Sequence, residues 1–434
     1  MPPANRTKTA FLVIHGVGPH KPFEVCDSFV RGFFDVFKEK HQGSQVHHQL
    51  RKREDWLGKG IPWVQNYLRL SIPNNGGYID FYEYFWDIYM VHEVCLSEAL
   101  QLLIKASKGA KRFYERVREE YPDLLVKAMD VGEYGRKRRF GRGSVEFRPA
   151  GYLKLLRPSS RLFTPFFVAF LNVLPYLPFI IKVVDWWTRT QIPILSHVLR
   201  ACVVFIDKFA QDFVGDLVGY LDLDPRSEHY EIRRKILNGA LDELRELMKA
   251  KDDDGNDEYE QIIVAGHSLG SVIAYDTLNR IIQETNAGRT QEDDTKKIVG
   301  LITFGSPLDK IACFFRERVE KDKEVQRQIL ANLHGFRTLS LVEDTPGIDI
   351  GTPMQFKLDK TRWLNFYHTR DLISGNLDLY NLKEQPFQHP ESKGNTLIDA
   401  DVPMTAAHNC YWGAHQGKNG TNQMYQGIIK EFFQ

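Results

Sequence analysis

Residues 261–275 read Gln-Ile-Ile-Val-Ala-Gly-His-Ser-Leu-Gly-Ser-Val-Ile-Ala-Tyr. The β-branched run before Gly266 is typical of a strand buried on both faces, and the apolar spacing after Gly270 is typical of a helix. Between them, Gly-His-Ser-Leu-Gly predicts a sharp strand-to-helix turn, with His267 inside it and glycines that leave room for a strained Ser268. At the start of a helix developing negative charge is favoured, so the segment predicts that Ser268 is a nucleophile.

A nucleophile of this kind needs donors for the oxyanion that its attack creates. Residues 9–18 read Thr-Ala-Phe-Leu-Val-Ile-His-Gly-Val-Gly, which predicts a strand followed by a glycine-containing loop. The backbone N–H groups of Val17 and Leu269 are therefore the candidate oxyanion donors. Taken alone, the loop could equally be an ordinary strand-ending turn.

Further segments predict the surrounding α/β elements. Residues 23–37 have the apolar spacing of an amphipathic helix, and residues 78–86, which are rich in aromatics, are a strand candidate. Residues 298–304 and 362–367 are apolar strand candidates, and the polar stretch 285–297 is expected to be a loop. Three carboxylates near the aromatic strand precede the nucleophile in sequence and are expected to be structural: Asp80, Glu83 and Asp87.

The acid that orients the base should follow a late strand, because the chain order for this turn is Ser, then Asp or Glu, then His. Asp371, four residues after the strand candidate 362–367, is the favoured acid. Asp309, which follows the preceding strand, is its main rival, and Asp344 is a third candidate.

The base should lie in a loop near the end of the chain. His408 lies in the small-residue segment Ala-Ala-His-Asn and is the favoured base. His415 lies seven residues later, and His368 is close to the proposed acid but would need a different geometry. In the favoured set, His408 takes the Ser268 proton, and Asp371 holds the imidazole in the required tautomer.

These segments together resemble the α/β-hydrolase superfamily, in particular the lipase branch that includes the GPI inositol-deacylase-like proteins and their bacterial relatives. The matching segments are Phe11-Leu-Val-Ile-His-Gly-Val-Gly18, Gly215-Asp-Leu-Val-Gly-Tyr-Leu221, Gly266-His-Ser-Leu-Gly-Ser-Val-Ile-Ala-Tyr-Asp276, Phe304-Gly-Ser-Pro307, Trp363-Leu-Asn-Phe-Tyr-His-Thr-Arg-Asp371 and His408-Asn-Cys-Tyr-Trp412. The resemblance implies an α/β fold with a mostly parallel central sheet flanked by helices. It also implies ester hydrolysis by the triad above, without a metal or cofactor.

Composition sets wider bounds on the chain. The 434 residues carry a net charge of +1, which argues against nucleic acid as the main partner. Five cysteines, odd in number and without a CxxC pair, favour free thiols in a reducing compartment. No apolar signal segment precedes the first strand, so a cytoplasmic protein is expected.

The middle of the chain contains a basic stretch followed by an apolar stretch. Residues 136–161 contain nine Lys or Arg and one acid, which gives +8, so the rest of the chain carries −7. Residues 162–181 contain no charged residue, and this uncharged stretch is long enough to span a membrane. Its three prolines, however, disfavour a straight helix. Trp186 and Trp187 follow, residues that favour a membrane interface.

Three interpretations of this region stay open: a lid over an acyl pocket, a segment lying on an anionic membrane surface through residues 136–187, and a true span. The expected organisation is a hydrolase core in two parts, residues 1–90 and 211–434, with a helical insert at 91–210. The predicted function is hydrolysis of a lipid or long acyl ester by a cytoplasmic, peripherally membrane-associated enzyme. Acyl transfer by the same triad and a non-catalytic membrane scaffold are the alternatives. The sequence leaves the oligomeric state undetermined.

Overall fold

The computed structural model describes residues 8–18, 20–53, 63–73, 76–90, 220, 228–308, 311, 358, 361–368, 370, 371, 373–375, 377, 394–398, 402, 406–412 and 418–434. The predicted insert at 91–210, with its basic and apolar stretches, lies outside these residues. Within them, no helix is both long enough and apolar enough to cross a membrane.

Eight strands and five helices make up the described core. The strands are β1 Lys8–Ile14, β2 Gln45–Arg53, β3 Trp63–Ser71, β4 Tyr78–Tyr84, β5 Gln261–His267, β6 Ile298–Phe304, β7 Arg362–Tyr367 and β8 Gly394–Leu397. The helices are α1 Glu24–Lys40, α2 Glu228–Lys249, α3 Leu269–Asn286, α4 Glu292–Thr295 and α5 Lys418–Phe432. A short 3₁₀ turn, Asp87–Tyr89, follows β4.

All eight strands belong to one sheet, in the order β2-β3-β4-β1-β5-β6-β7-β8. Neighbouring strands in the series β4-β1-β5-β6-β7-β8 are parallel. Strand β3 is antiparallel to both of its neighbours, β2 and β4. The sheet is therefore mixed but mostly parallel, with helices beside it, as expected for an α/β fold. Because β1 lies between β4 and β5, the two predicted parts of the core share one sheet.

Alternate residues of β1 face two separate cores, because successive side chains of a strand point to opposite faces. Leu12 packs in a cluster with α2 and α3, whereas Phe11 and Val13 pack in a second cluster with α1 and α5. Helices therefore cover both faces of the sheet. This explains the continuous apolar runs of β1 and β5, since a strand covered on both sides has no solvent-facing positions.

The sequence predictions for local structure are mostly confirmed. The strands at 298–304 and 362–367 have the predicted bounds, and the predicted helix at 23–37 corresponds to α1. The expected loop at 285–297 is partly wrong, because α3 continues to Asn286 and α4 occupies four of the remaining residues.

Candidate active site

The described site lies at the carboxyl ends of β1, β5, β6 and β7, the edge where open parallel sheets bind ligands. Ser268 joins β5 to α3 with φ 50° and ψ −125°, and a positive φ is uncommon for a residue with a side chain. Its N–H donates to the Phe304 carbonyl over 3.1 Å, and its side chain is almost fully buried. The predicted strained elbow is present.

The glycines of the elbow are required by close backbone contacts. A methyl group on Gly266 would overlap the carbonyl of Gly270, and one on Gly270 would overlap the carbonyls of Ile14 and His15. A methyl group on Gly16 would lie 2.7 Å from Ser268 Cβ. The loop after β1 is thus pressed against the elbow, which any side chain at these positions would push apart.

A pair of serines holds the strained carbonyl of Ser268. Ser271 Oγ donates to that carbonyl over 2.5 Å, and the Ser271 N–H donates to it over 3.0 Å. Ser271 Oγ also lies 2.7 Å from Ser306 Oγ in the loop after β6. Because a hydroxyl carries one proton and a carbonyl only accepts, Ser306 must be the donor in this second bond. Neither serine of this pair stands out in the sequence as a site residue.

The candidate oxyanion donors are placed on the two sides of the elbow. Leu269 is the first residue of α3, and Val17 follows Gly16 in the loop after β1. The contact between Gly16 and Ser268 brings this loop beside the elbow. The assignment of Val17 and Leu269 as oxyanion donors stays a prediction.

His15 organises the loop that carries Val17. Its Nε2 accepts the Trp86 N–H over 3.2 Å, its Nδ1 lies 2.9 Å from the Gly16 carbonyl, and its ring stacks on the Trp86 indole. Since Nε2 accepts a hydrogen bond, the proton of the neutral ring must be on Nδ1. Burial, with a smaller contribution from the neighbouring His20, lowers the pKa of His15 to about 3.

Because His15 is buried and uncharged, the unfolding free energy should depend on pH. The variant His15→Gln should weaken this dependence. The unfolded chain takes up a proton at this position as the pH falls through about 6.5, whereas the folded chain does so only near 3. His15 therefore lowers the unfolding free energy by about 1.4 kcal/mol for each pH unit of acidification in this window. In urea unfolding between pH 7 and 4, the variant should start less stable and the difference should narrow. Parallel curves would contradict the assignment.

Asp371 and His408, which are far apart in sequence, are in contact. His408 Nδ1 lies 3.1 and 3.0 Å from the two carboxylate oxygens of Asp371, and a carboxylate only accepts, so Nδ1 carries the proton. The opposite nitrogen, Nε2, is buried and has no hydrogen-bond partner among the described residues, Ser268 included. Its lone pair is thus free to accept a proton. The lack of a hydrogen bond to Ser268 is consistent with this role, because catalytic hydrogen bonds often tighten only when substrate binds.

Further donors fix the Asp371 carboxylate. The Ile373 N–H donates to Oδ1 over 2.8 Å, and the Tyr411 hydroxyl donates to Oδ2 over 2.8 Å. Burial alone would raise the pKa of Asp371, but the charge interaction with His408 and these hydrogen bonds hold it well below its usual range. The carboxylate therefore stays ionised facing the imidazole. Tyr411 was not among the predicted site residues, although it lies within segment 408–412.

The competing candidates are only partly described. Asp309, Asp344 and His415 lie outside the described residues. His368 is buried at the end of β7, where its Nδ1 accepts the Arg370 N–H over 3.1 Å. That contact uses one of its two ring nitrogens in a local turn.

The carboxylates of β4 have structural roles. Asp80 is fully buried and binds the Arg69 guanidinium through two bonds of 2.7 and 2.6 Å, and Glu83 accepts backbone N–H groups of Phe23 and Cys26 at the start of α1. A carboxylate at a helix N-terminus is favoured by the unpaired N–H groups and the helix dipole. Among the residues that the structure describes, no group of three or more His, Cys, Asp or Glu could hold a metal ion.

A comparison with protein families matches residues 209–328 to the lipase (class 3) family. Over these residues, the chain is similar to class 3 lipases. The matched region includes the elbow and Ser268 but ends before Asp371 and His408. No curated protein and no solved structure matches the chain. The comparison therefore supports a lipase-type hydrolase at the level of the family.

Proposed function

We propose that this protein is a serine hydrolase that cleaves the carboxylic ester of a lipid or another long acyl chain. The observation that carries the proposal is the contact between Asp371, which follows β7, and His408, whose Nε2 has no hydrogen-bond partner among the described residues. A positioned base with an orienting acid next to a strained serine is the arrangement that nucleophilic acyl transfer requires.

In this mechanism, His408 Nε2 removes the Ser268 proton as Oγ attacks the ester carbonyl. The resulting imidazolium is stabilised by the Asp371 carboxylate, which does not itself become protonated. The N–H groups of Val17 and Leu269 bind the oxyanion, and each donor of this type contributes about 3 kcal/mol to the barrier reduction. His408 then protonates the leaving alcohol, and water activated by the same base releases the acyl group.

The proposed substrate class rests on the family match and on the sequence outside the described residues. The apolar stretch 162–181 and the basic stretch 136–161 would suit an acyl chain and an anionic membrane surface. The closer resemblance to the GPI inositol-deacylase-like branch and a peripheral membrane location are parts of this proposal. Acyl transfer to an alcohol or thiol would use the same residues.

A fluorophosphonate probe combined with a series of esters tests the proposal. The probe should modify Ser268, identified by peptide mass spectrometry, because it reacts only with activated serines, and His408→Ala should prevent the modification. Turnover should rise with acyl chain length and rise further when anionic vesicles are added.

The negative outcomes of this test separate the parts of the proposal. An unmodified Ser268 in folded protein would support the non-catalytic scaffold instead. Capture of the acyl group by an added alcohol or thiol in preference to water would identify a transferase. If anionic vesicles did not change turnover, the proposed membrane association would be rejected and the proposed esterase activity would stand.

A further inference from the structure

His267, the residue before the nucleophile, contacts the loop that carries His408. It ends β5, and its side chain is buried, with 3% of the residue exposed. Its ring centroid lies 4.0 Å from that of Trp412 and 4.7 Å from that of His408. The ring therefore fills the space between β5 and residues 406–412.

The hydrogen bond of His267 defines its protonation state. Its Nε2 lies 3.0 Å from the backbone carbonyl oxygen of His408. A carbonyl accepts only, so Nε2 carries a proton and donates it. The other nitrogen, Nδ1, is buried and has no hydrogen-bond partner within the described part of the chain. A second proton there would be buried without an acceptor, which is costly, so the ring is neutral. Burial, together with the nearby His408, also lowers the pKa of His267 well below its ordinary value.

Two glycines make room for this ring. A methyl group on Gly16 would lie 2.9 Å from His267 Nδ1, and one on Gly305 would lie 3.0 Å from Nε2. Gly16 belongs to the loop that carries Val17, and Gly305 follows β6. The imidazole of His267 is thus bounded by the loop that carries Val17, by the end of β6 and by residues 406–412, which we call the base loop. Its one N–H donor points to the base loop.

We propose that His267 is a positioning residue whose Nε2–H fixes the backbone of His408, and through it the position of the catalytic imidazole relative to Ser268. The proposal rests on the function proposed above. Ser268 and His267 are adjacent in the chain, so the same short segment sets the position of the nucleophile and holds the base loop. A displacement of about 1 Å between reacting groups can reduce the rate by about 10²-fold, so this hydrogen bond affects catalysis without contacting substrate.

Two substitutions separate the hydrogen bond from the packing. His267→Leu fills a similar volume without a donor, whereas His267→Gln keeps an N–H donor near the position of Nε2. We expect His267→Leu to lower kcat for a soluble ester by about 10- to 100-fold with KM little changed. It should slow fluorophosphonate labelling of Ser268 to a similar extent, and His267→Gln should recover most of the loss.

The matched control is the same pair of substitutions at His48. This histidine is exposed on β2, and its Nε2 contacts Asn66 over 2.9 Å. Both His48 variants should leave kcat unchanged. Equal losses in His267→Leu and His267→Gln would overturn the proposal, because a purely packing role does not distinguish the donor.

A spectroscopic measurement on the whole protein tests the tautomer without activity. In ¹⁵N-histidine-labelled protein, the His267 signals, assigned by their loss in His267→Gln, should show a protonated Nε2 and no titration from pH 5 to 9. A protonated Nδ1 or a titration in this range would overturn the proposal. If Ser268→Ala retained full turnover, the proposed function would fail, whereas this spectrum would still report on His267.

Discussion

Replacing Ser268 with alanine is expected to reduce ester turnover by on the order of 10⁵- to 10⁶-fold, leaving only the residual rate that oxyanion stabilisation and substrate binding supply. The change removes only Oγ, for which no other group in the elbow can substitute as nucleophile. The loss should appear in kcat, because the covalent step itself is lost. Turnover of a chromogenic ester, measured with enough enzyme to detect about one part in 10⁶ of the wild-type rate, is the appropriate assay.

The variant is expected to keep its fold, which makes the loss interpretable. The strained, positive-φ backbone of Ser268 is held by contacts that do not involve its hydroxyl, namely the N–H bond to Phe304 and the two Ser271 bonds to its carbonyl. Circular dichroism and the thermal unfolding midpoint should therefore match those of the wild-type protein closely.

A serine outside the site provides the control. Ser28 lies on α1, where its hydroxyl donates to the Glu24 carbonyl over 2.9 Å. Ser28→Ala should keep full turnover and full fluorophosphonate labelling. Activity retained in folded Ser268→Ala would show that another residue is the nucleophile, and the proposed mechanism would have to be abandoned.

The parts of the fold that could be predicted are those in which local pattern and burial agree. Strands β5 and β6 are buried on both faces, so their apolar runs stand out in the sequence, and the glycines of the elbow are needed for purely local steric reasons. The antiparallel pair β2 and β3 was not predicted. The strand Gln45–Arg53 includes exposed residues such as Leu50 and lies at the sheet edge, so its pattern is mostly polar.

For the long-range contacts of the site, the sequence could predict which types of residue take part but not the hydrogen bonds that hold them in place. Chain order indicated an acid and a histidine after Ser268. Asp371 and His408 are in contact in the structure, and their catalytic roles stay a prediction. The supporting bonds could not be predicted in this way. Tyr411 reaches Asp371 only because residues 406–412 fold back on the end of β7, and Ser306 reaches Ser271 only because β6 lies beside β5. No local sequence period encodes those distances.

The interior of the sheet gives a similar example. Asn365 lies in the segment from Trp363 to Asp371, but its role depends on strands that are distant in sequence. Its side-chain NH₂ group donates to the Gly375 carbonyl over 3.0 Å and to Asn395 Oδ1 on β8 over 2.8 Å. The Thr303 hydroxyl on β6 donates to its oxygen over 2.9 Å. Asn365 thus ties β7 to the segment that follows Asp371, which stabilises the position of the acid.

The second large effect is expected for Asp371→Asn, which should lower kcat by about 10⁴-fold. Both carboxylate oxygens have other donors, the Ile373 N–H at Oδ1 and the Tyr411 hydroxyl at Oδ2, in addition to His408. An amide replaces one of these acceptors with an NH₂ group, so at least one donor loses its acceptor. If the NH₂ group faces His408 Nδ1, that nitrogen must accept, and the proton of the neutral ring moves to Nε2, where it blocks removal of the Ser268 proton.

The same reasoning separates the acid from its main rival in sequence. Asp309→Asn should leave kcat within about threefold of the wild-type value, whereas a loss of about 10⁴-fold in that variant instead would assign the acid to Asp309. Fluorophosphonate labelling distinguishes a lost base from a lost fold. In Asp371→Asn the rate of labelling should fall with kcat, while the thermal midpoint should stay well above the assay temperature. Loss of kcat with an unchanged labelling rate would place Asp371 outside the activation of Ser268, since the probe reacts through the same proton transfer as the ester.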